Sequence, residues 1–343
     1  MQFDENKILQ VNNLKTYFFT ENGIVKAVDG VDLEVYQGET LGLVGESGCG
    51  KSITAFSIMR LLDYPGKTVG GQILFKSEDL LVKNEKQMRQ IRGKDISMIF
   101  QEPMTSLNPV LTIGFQITEA LEVHFKMEKT KARKRAIELL ERVGIPIPEQ
   151  RIYEYPHQLS GGMRQRAMIA MALSCDPVLL IADEPTTSLD VTIQAQILEL
   201  MKLLLEQFSS SMIMITHDLG VIAEIADRIA VMYAGKIVEY ADTRSIFYSP
   251  LHPYTFGLLT SIPRLDMDIE KLESIPGIVP DPLHFPEGCK FHPRCVFATE
   301  KCRKEEPPLA EIKKNHSVRC WHIEKVEQEA KKISFTGRLT TDG

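Results

Sequence analysis

LVGESGCGKS, Leu43 to Ser52, is an apolar strand end that runs into three glycines and a lysine. It fits the spacing G-x-x-x-x-G-K-[ST] through Gly45, Gly50, Lys51 and Ser52. Thr40 to Val44 before it reads as a buried strand and Ile53 to Met59 after it as a helix, the setting in which such a loop holds phosphate. Glycines let successive backbone N–H groups face one anion with no Cβ in the way. The helix start adds unpaired donors and partial positive charge. Gly45, Glu46, Ser47, Gly48, Cys49 and Gly50 are therefore expected to line a polyphosphate. Lys51 is expected to place its charge on the β- and γ-phosphates, and Ser52 its hydroxyl on Mg²⁺.

Working outward, 343 residues allow two domains, or one large domain with an appendage. A hydrophobic content of 43% is ample for a core, and 25% charged residues is ordinary for a globule. No apolar run approaches the roughly 18–20 residues of a membrane span. The N-terminus, MQFDENKILQ, is acidic and polar and is no secretory signal, so the chain is expected in the cytosol. The net charge of −6 argues against non-specific nucleic-acid binding. The one basic run, Lys126 to Arg135, reads as a solvated helix face.

A second glycine-rich stretch, QLSGGMRQR, spans Gln158 to Arg166. Ser160 is expected to cap the next helix, with Gly161 and Gly162 leaving its first N–H groups uncovered, so this is a second anion-binding helix start. Val178 to Glu184 then reads as a buried strand ending in two carboxylates. Strand alternation would point Asp183 and Glu184 in different directions. One could serve Mg²⁺ through its water shell while the other polarises an attacking water.

With these stretches in place, residues from about 8 to 245 resemble the ATP-binding-cassette family of ATPases. The resemblance implies an α/β fold with a phosphate-loop core of the RecA type, an antiparallel β subdomain and a helical subdomain at about 102–170. It implies ATP and Mg²⁺ as ligands. Gly45 to Ser52 is then the Walker A loop, and Leu159 to Gln165, with Ser160, Gly161 and Gly162, the signature sequence. Asp183 is the Walker B aspartate, and Glu184 the general base. Gln101 is the Q-loop residue that reaches Mg²⁺ and the water, Ser188-Leu189-Asp190 the D-loop, and His217 the switch histidine at the γ-phosphate. Phe18 is chosen to stack on adenine, with Tyr17 and Phe19 as rivals. Cys49 stands where the family usually has serine.

The pattern between Gln101 and Ser160 is helical. Thr130 is expected to cap a helix carrying Ala132, Ala136, Leu139, Leu140 and Val143, and Asp190 another with Ile193, Ile197, Leu200 and Leu204 on one face.

Beyond about residue 245 the character changes. Ten of the 18 prolines lie between Pro250 and Pro308, so extended or turning backbone is expected. Cys289, Cys295, Cys302 and Cys320 also lie here, with no close C-x₂₋₄-C pair of the zinc type. Zinc, an iron–sulfur cluster and free thiols all remain open on spacing. Little apolar periodicity is present to build a core, so a metal centre is the expected source of order, serving assembly rather than ATP chemistry.

Leu251 to Thr255, Ile275 to Pro280, Gly288 to Cys295 and Gln101 to Pro109 are similar to the ATPase subunits of oligopeptide, dipeptide and nickel importers. That resemblance implies a [4Fe–4S] cluster on the four tail cysteines. The expected division is 1–250 for the ATPase domain and 251–343 for a Pro- and Cys-rich extension. Implied partners are a second ATPase subunit (a relative or another copy), two membrane permease subunits and an extracytoplasmic substrate-binding protein. The chain would sit as a peripheral subunit at the cytoplasmic face of the membrane. The competing readings are a nickel importer and a soluble non-transport cassette ATPase. A translation factor of this family normally carries two cassettes, and a DNA-repair member a long coiled coil. This chain shows one motif set and no such insertion.

Overall fold

Residues 6–101, 106–187, 189–261 and 275–332 are described by the structure, a computed structural model. They fall into two compact units. The first is Met1–Leu9, Val35–Thr40 and Leu74–Ile215, and the second Gln10–Glu34, Leu41–Ile73 and Thr216–Gly343.

The first unit is built on parallel strands Ile96–Ile99, Leu179–Asp183 and Ser211–Thr216, the last of which ends one residue past the boundary. Leu179–Asp183 is buried along its whole length, as its unbroken apolar run requires of a central parallel strand. Its longer helices are Ile113–Phe125, Lys129–Arg142, Gly161–Ala172 and Val191–Phe208. The basic run behaves as a solvated face. Lys126, Lys129, Lys131, Arg133 and Lys134 are exposed, while Ala132, Ala136, Leu139 and Leu140 are buried. Thr130 does not cap that helix. Glu128 occupies the extended cap position with no side-chain bond, and Thr130 already lies in the first turn.

Asp190 does cap helix Val191–Phe208, accepting the Ile193 N–H at 2.9 Å. Its buried stripe, though, is Ile197, Leu198, Met201, Leu204 and Leu205, with Ile193 and Leu200 only half-buried. The expected face was rotated by part of a turn because leucines flank the stripe on both sides.

In the second unit, strand Thr40–Val44 pairs in parallel with Arg228–Tyr233, from Leu41 opposite Arg228 to Val44 opposite Val231. Arg228–Tyr233 turns through Ala234 and Gly235, both at positive φ, into antiparallel Lys236–Asp242. Strands Gly23–Tyr36, Lys7–Thr20 and Gly66–Phe75 neighbour one another in that order in a separate sheet.

The tail is more regular than its prolines suggested. Pro253 opens helix Pro253–Thr260 at its first position, where a missing N–H costs nothing. His316–Val318 joins the sheet with Val318 opposite Glu239, and Ala310–Lys313 pairs outside it. Tyr233, Tyr254 and Phe291 form an aromatic core, with ring centroids 4.7 Å apart for the tyrosines and 5.1 Å for the edge-on Tyr233–Phe291 pair. The tail therefore has order of its own, from aromatics too irregularly spaced to show a period. This order does not rest on a metal, contrary to the expectation above.

Glu239, fully buried, secures this region. Its carboxylate accepts the N–H groups of Leu251 at 2.7 Å and His252 at 2.9 Å, and lies 2.7 Å from His316 Nε2. His252 Nδ1 in turn accepts the Tyr254 N–H at 3.1 Å. Burial, and secondarily Arg319, pushes the His252 pKa down to about 3. The unfolded chain protonates this group below about 6.5. Between those values the unfolded state binds more protons, so stability falls as pH drops, by up to about 1.4 kcal/mol per unit. Melting should therefore have a lower midpoint at about pH 5 than at about pH 7. His252→Asn keeps a cap acceptor without titrating and should narrow that gap; an undiminished gap would place the acid sensitivity elsewhere.

Candidate functional site

In the second unit the loop Gly45–Gly50 leaves the strand and enters helix Lys51–Met59 as expected. Gly45 has φ 156°, and a Cβ there would lie 2.2 Å from the Met232 carbonyl oxygen. Gly50, at φ 106°, would put a Cβ 2.3 Å from the Ala27 carbonyl oxygen. Only glycine fits at either place. Gly50 is also the helix N-cap and brings no side chain to cover the first N–H groups. Lys51 is buried, and its ammonium donates to the carbonyls of Gly45 at 2.7 Å and Glu46 at 3.1 Å. Cys49 is buried too, and burial pushes its thiol pKa up. Small and uncharged, it fills space under the loop. Gly48 has φ 78° and open space around it, and Ser52 lies in the first helical turn.

Glu46 reaches into the tail. Its N–H donates to the Tyr254 hydroxyl at 2.8 Å. Its carboxylate receives both arms of Arg294, at 2.6 and 3.0 Å. Sequence reading missed both partners, which lie more than 200 residues along the chain and carry no local signal.

Also in this unit, His217 is exposed just after Thr216, and Asp218 caps the helix that follows. Tyr17 donates its hydroxyl to Asp29 at 2.8 Å, and burial together with that carboxylate pushes its pKa up to about 12. Phe18 is half-buried and lies over Gly66, where a Cβ would come within 2.7 Å of its ring. Phe19 is exposed.

In the first unit Asp183 ends its strand, buried. Glu184 does not continue the alternation. Its φ of 46° takes the chain into the left-handed region, while its N–H still donates to the Ile215 carbonyl at 2.8 Å. A non-glycine residue held there stores about 1–3 kcal/mol of strain. Strand alternation therefore stops at Asp183 and does not govern Glu184. Glu184 Oε2 accepts from Gln101 Nε2 at 2.9 Å and from the Thr187 hydroxyl at 2.9 Å. Gln101 and Glu184, 83 positions apart, are thus brought together. Thr187 was missed, although a hydroxyl three residues after a carboxylate is a usable clue. Two donors thus orient the carboxylate through Oε2.

Ser160 caps helix Gly161–Ala172 through the Met163 N–H at 3.3 Å. Gly161 is exposed, with Arg164 Nη2 4.0 Å from where a Cβ would lie, and Gly162 approaches Ile193, whose Cγ2 would lie 3.3 Å from a Cβ. The helix start is therefore accessible, as its sequence implied. Ser188 of the expected D-loop and Glu102 to Thr105 after Gln101 lie outside the described residues.

Residues 28–187 match the ABC transporter family, and residues 238–302 match the C-terminal region of oligopeptide/dipeptide transporters. The oligopeptide transport ATP-binding protein AppD of Bacillus subtilis is 58% identical over 92% of this chain and 97% of its own. The dipeptide transport ATP-binding protein DppD of the same organism is 55% identical over 92% and 94%. This chain belongs to the ABC transporter family, in its oligopeptide/dipeptide branch. Among solved structures, the dimeric bacterial ABC transporter cassette MJ0796 is similar at TM-score 0.62 and 28% identity, over 69% of this chain and 99% of that one. The same cassette is known bound to ADP and Pi, with the same score. The ABC ATPase fold expected from the motifs is therefore present.

For an ABC ATPase of this branch the tail cysteines need their own test. Cys289, Cys295, Cys302 and Cys320 share a neighbourhood, and the Cys289 N–H donates to the Cys302 carbonyl at 2.8 Å. Burial first, and the neighbouring thiols second, push Cys295 up to about 11 and Cys320 up to about 12. The His322 N–H points at Cys320 Sγ at 3.3 Å. Four thiols with an N–H on sulfur suit iron–sulfur chemistry as a donor set. Yet among the described residues no group of three or more His, Cys, Asp or Glu side chains is arranged to hold a metal ion. The expected [4Fe–4S] site thus matches in residue type and not in convergence. Among the described residues no helix is long and apolar enough to cross a membrane.

Proposed function

We propose that this chain is the ATP-hydrolysing subunit that powers import of di- and oligopeptides through separate permease subunits. The observation that carries it is the oligopeptide/dipeptide transporter C-terminal region at residues 238–302, joined to an ABC ATPase. Walker A residues Gly45 to Ser52 hold the phosphates, with Ser52, Asp183 and Gln101 toward Mg²⁺. Glu184 takes a proton from water as that water adds to the γ-phosphorus and the bond to the β-phosphate oxygen breaks. Gln101 and Thr187 orient the base. His217 serves the γ-phosphate, and Phe18 stacks on adenine.

The signature residues Ser160, Gly161 and Gly162 cap nucleotide held by a second ATPase subunit, so that ATP closes the dimer and hydrolysis opens it. A substrate-binding protein outside the cell delivers peptide, and the ATPase sits at the cytoplasmic face of the membrane. Residues 1–250 form the ATPase domain and 251–343 the extension. The nickel alternative has nothing comparable, since AppD and DppD are named for peptides. Affinity capture from membranes in mild detergent should bring down two permeases, a second ATPase and a peptide-binding protein. Ribosomes or DNA in their place would refute the transport reading.

The four tail cysteines are proposed as ligands of a [4Fe–4S] cluster. The likeness of Gly288 to Cys295 to the importer ATPases and the thiol donor type support this, and no step of ATP hydrolysis passes through it. Protein prepared without oxygen should be brown with about four irons per chain. Cys295→Ser should lose the iron. Colourless anaerobic protein carrying zinc, or no metal, would reject the cluster.

A further inference from the structure

We propose that Arg294, carried by the cysteine-bearing tail, is a positioning residue for the phosphate loop and acts on nucleotide binding through Glu46. The proposal rests on the reading of Gly45 to Ser52 as the nucleotide loop.

Glu46 is held from three directions. Its N–H is fixed by Tyr254, its carboxylate by the two arms of Arg294, and its carbonyl receives the Lys51 ammonium. Where Glu46 sits therefore decides where that ammonium sits. Arg294 is suited to impose a position because it is itself seated. Its side chain is only 4% exposed, and its Nε donates to the Pro276 carbonyl at 3.0 Å. Its stem crosses Gly277, where a Cβ would come within 3.3 Å, and its guanidinium faces the rings of Tyr233 and Phe291. A planar fork anchored on one side and bidentate on the other transmits orientation, which a lysine could not do.

Charge gives the second reason. Glu46 places a carboxylate in a loop built to receive polyphosphate, and Arg294 is its counter-ion. Without that counter-ion a bare negative charge would repel the ligand. The tail, expected from its sequence to serve assembly alone, is thus part of what makes the loop an anion receptor. A residue that merely held the tail together would act differently, since removing the Glu46 charge would not repair its loss.

The test is titration of the full chain with MgATP. Arg294→Met should raise Kd on the order of tenfold, as expected for loss of a charged hydrogen-bonded pair. Arg294→Lys should fall between it and wild type. Adding Glu46→Gln to Arg294→Met should recover part of the affinity, because the unpaired carboxylate is gone. A folded Arg294→Met chain with wild-type affinity, or a double variant no better than Arg294→Met, would overturn the proposal. Should Arg294→Met not fold, Arg294→Lys with and without Glu46→Gln decides by the same two criteria. Lys51→Ala is the separate control. If it bound MgATP normally, the nucleotide-loop reading would fail, whatever Arg294 does.

Discussion

Glu184→Gln is expected to bind MgATP normally and to hydrolyse it about 10²–10⁴-fold more slowly. Glutamine keeps the shape of the side chain and can still pair with Gln101 and Thr187, which lie 2.9 Å from Glu184 Oε2. What it loses is the capacity to take a proton from water. The left-handed backbone at Glu184 is maintained by its N–H bond to the Ile215 carbonyl, which the substitution does not touch. Steady-state phosphate release, measured beside nucleotide affinity, separates the two properties. Undiminished turnover would remove Glu184 from its role. Thr187→Ala, which deletes only an orienting donor, should show a smaller loss in the same assay.

Lys51→Ala is expected to lose most of its MgATP affinity rather than only its turnover. A buried ammonium that donates to two loop carbonyls has two functions, since it shapes the loop and presents charge. Removing it leaves the Gly45 and Glu46 carbonyl oxygens turned inward with no donor, a repulsive lining for phosphate. Charged hydrogen bonds of this kind are worth about 1.5–3 kcal/mol, or roughly ten- to more than a hundredfold in affinity. Equilibrium binding of a fluorescent ATP analogue reads this directly. Wild-type affinity in the folded variant would show that the loop holds its ligand by other means.

Features encoded within a few residues were legible in the sequence. The phosphate loop needs only contiguous strand, glycines and helix, and the caps at Ser160 and Asp190 are local chemistry. The failures have physical reasons. Thr130 is a good cap residue, but the chain bends at Glu128, two residues earlier. Alternation explained Asp183 and Glu184 only while both were taken as strand, whereas a positive φ at Glu184 ends it. The tail looked coreless because Tyr233, Tyr254 and Phe291 follow no period, and a core of three aromatics from a strand end, a helix and a helix cap needs none. The Arg294–Glu46 pair spans 248 positions, and nothing at either residue names the other.

The central claim, that this chain couples ATP hydrolysis to peptide import, is tested most directly in proteoliposomes. The vesicles would hold the captured permeases and ATPase subunits, with binding protein and labelled peptide on the opposite face from ATP. Uptake of peptide should require MgATP, stop with a non-hydrolysable analogue and stop again with Glu184→Gln in this subunit. Peptide uptake that proceeds undiminished with the analogue, or ATP hydrolysis that never moves peptide, would contradict it.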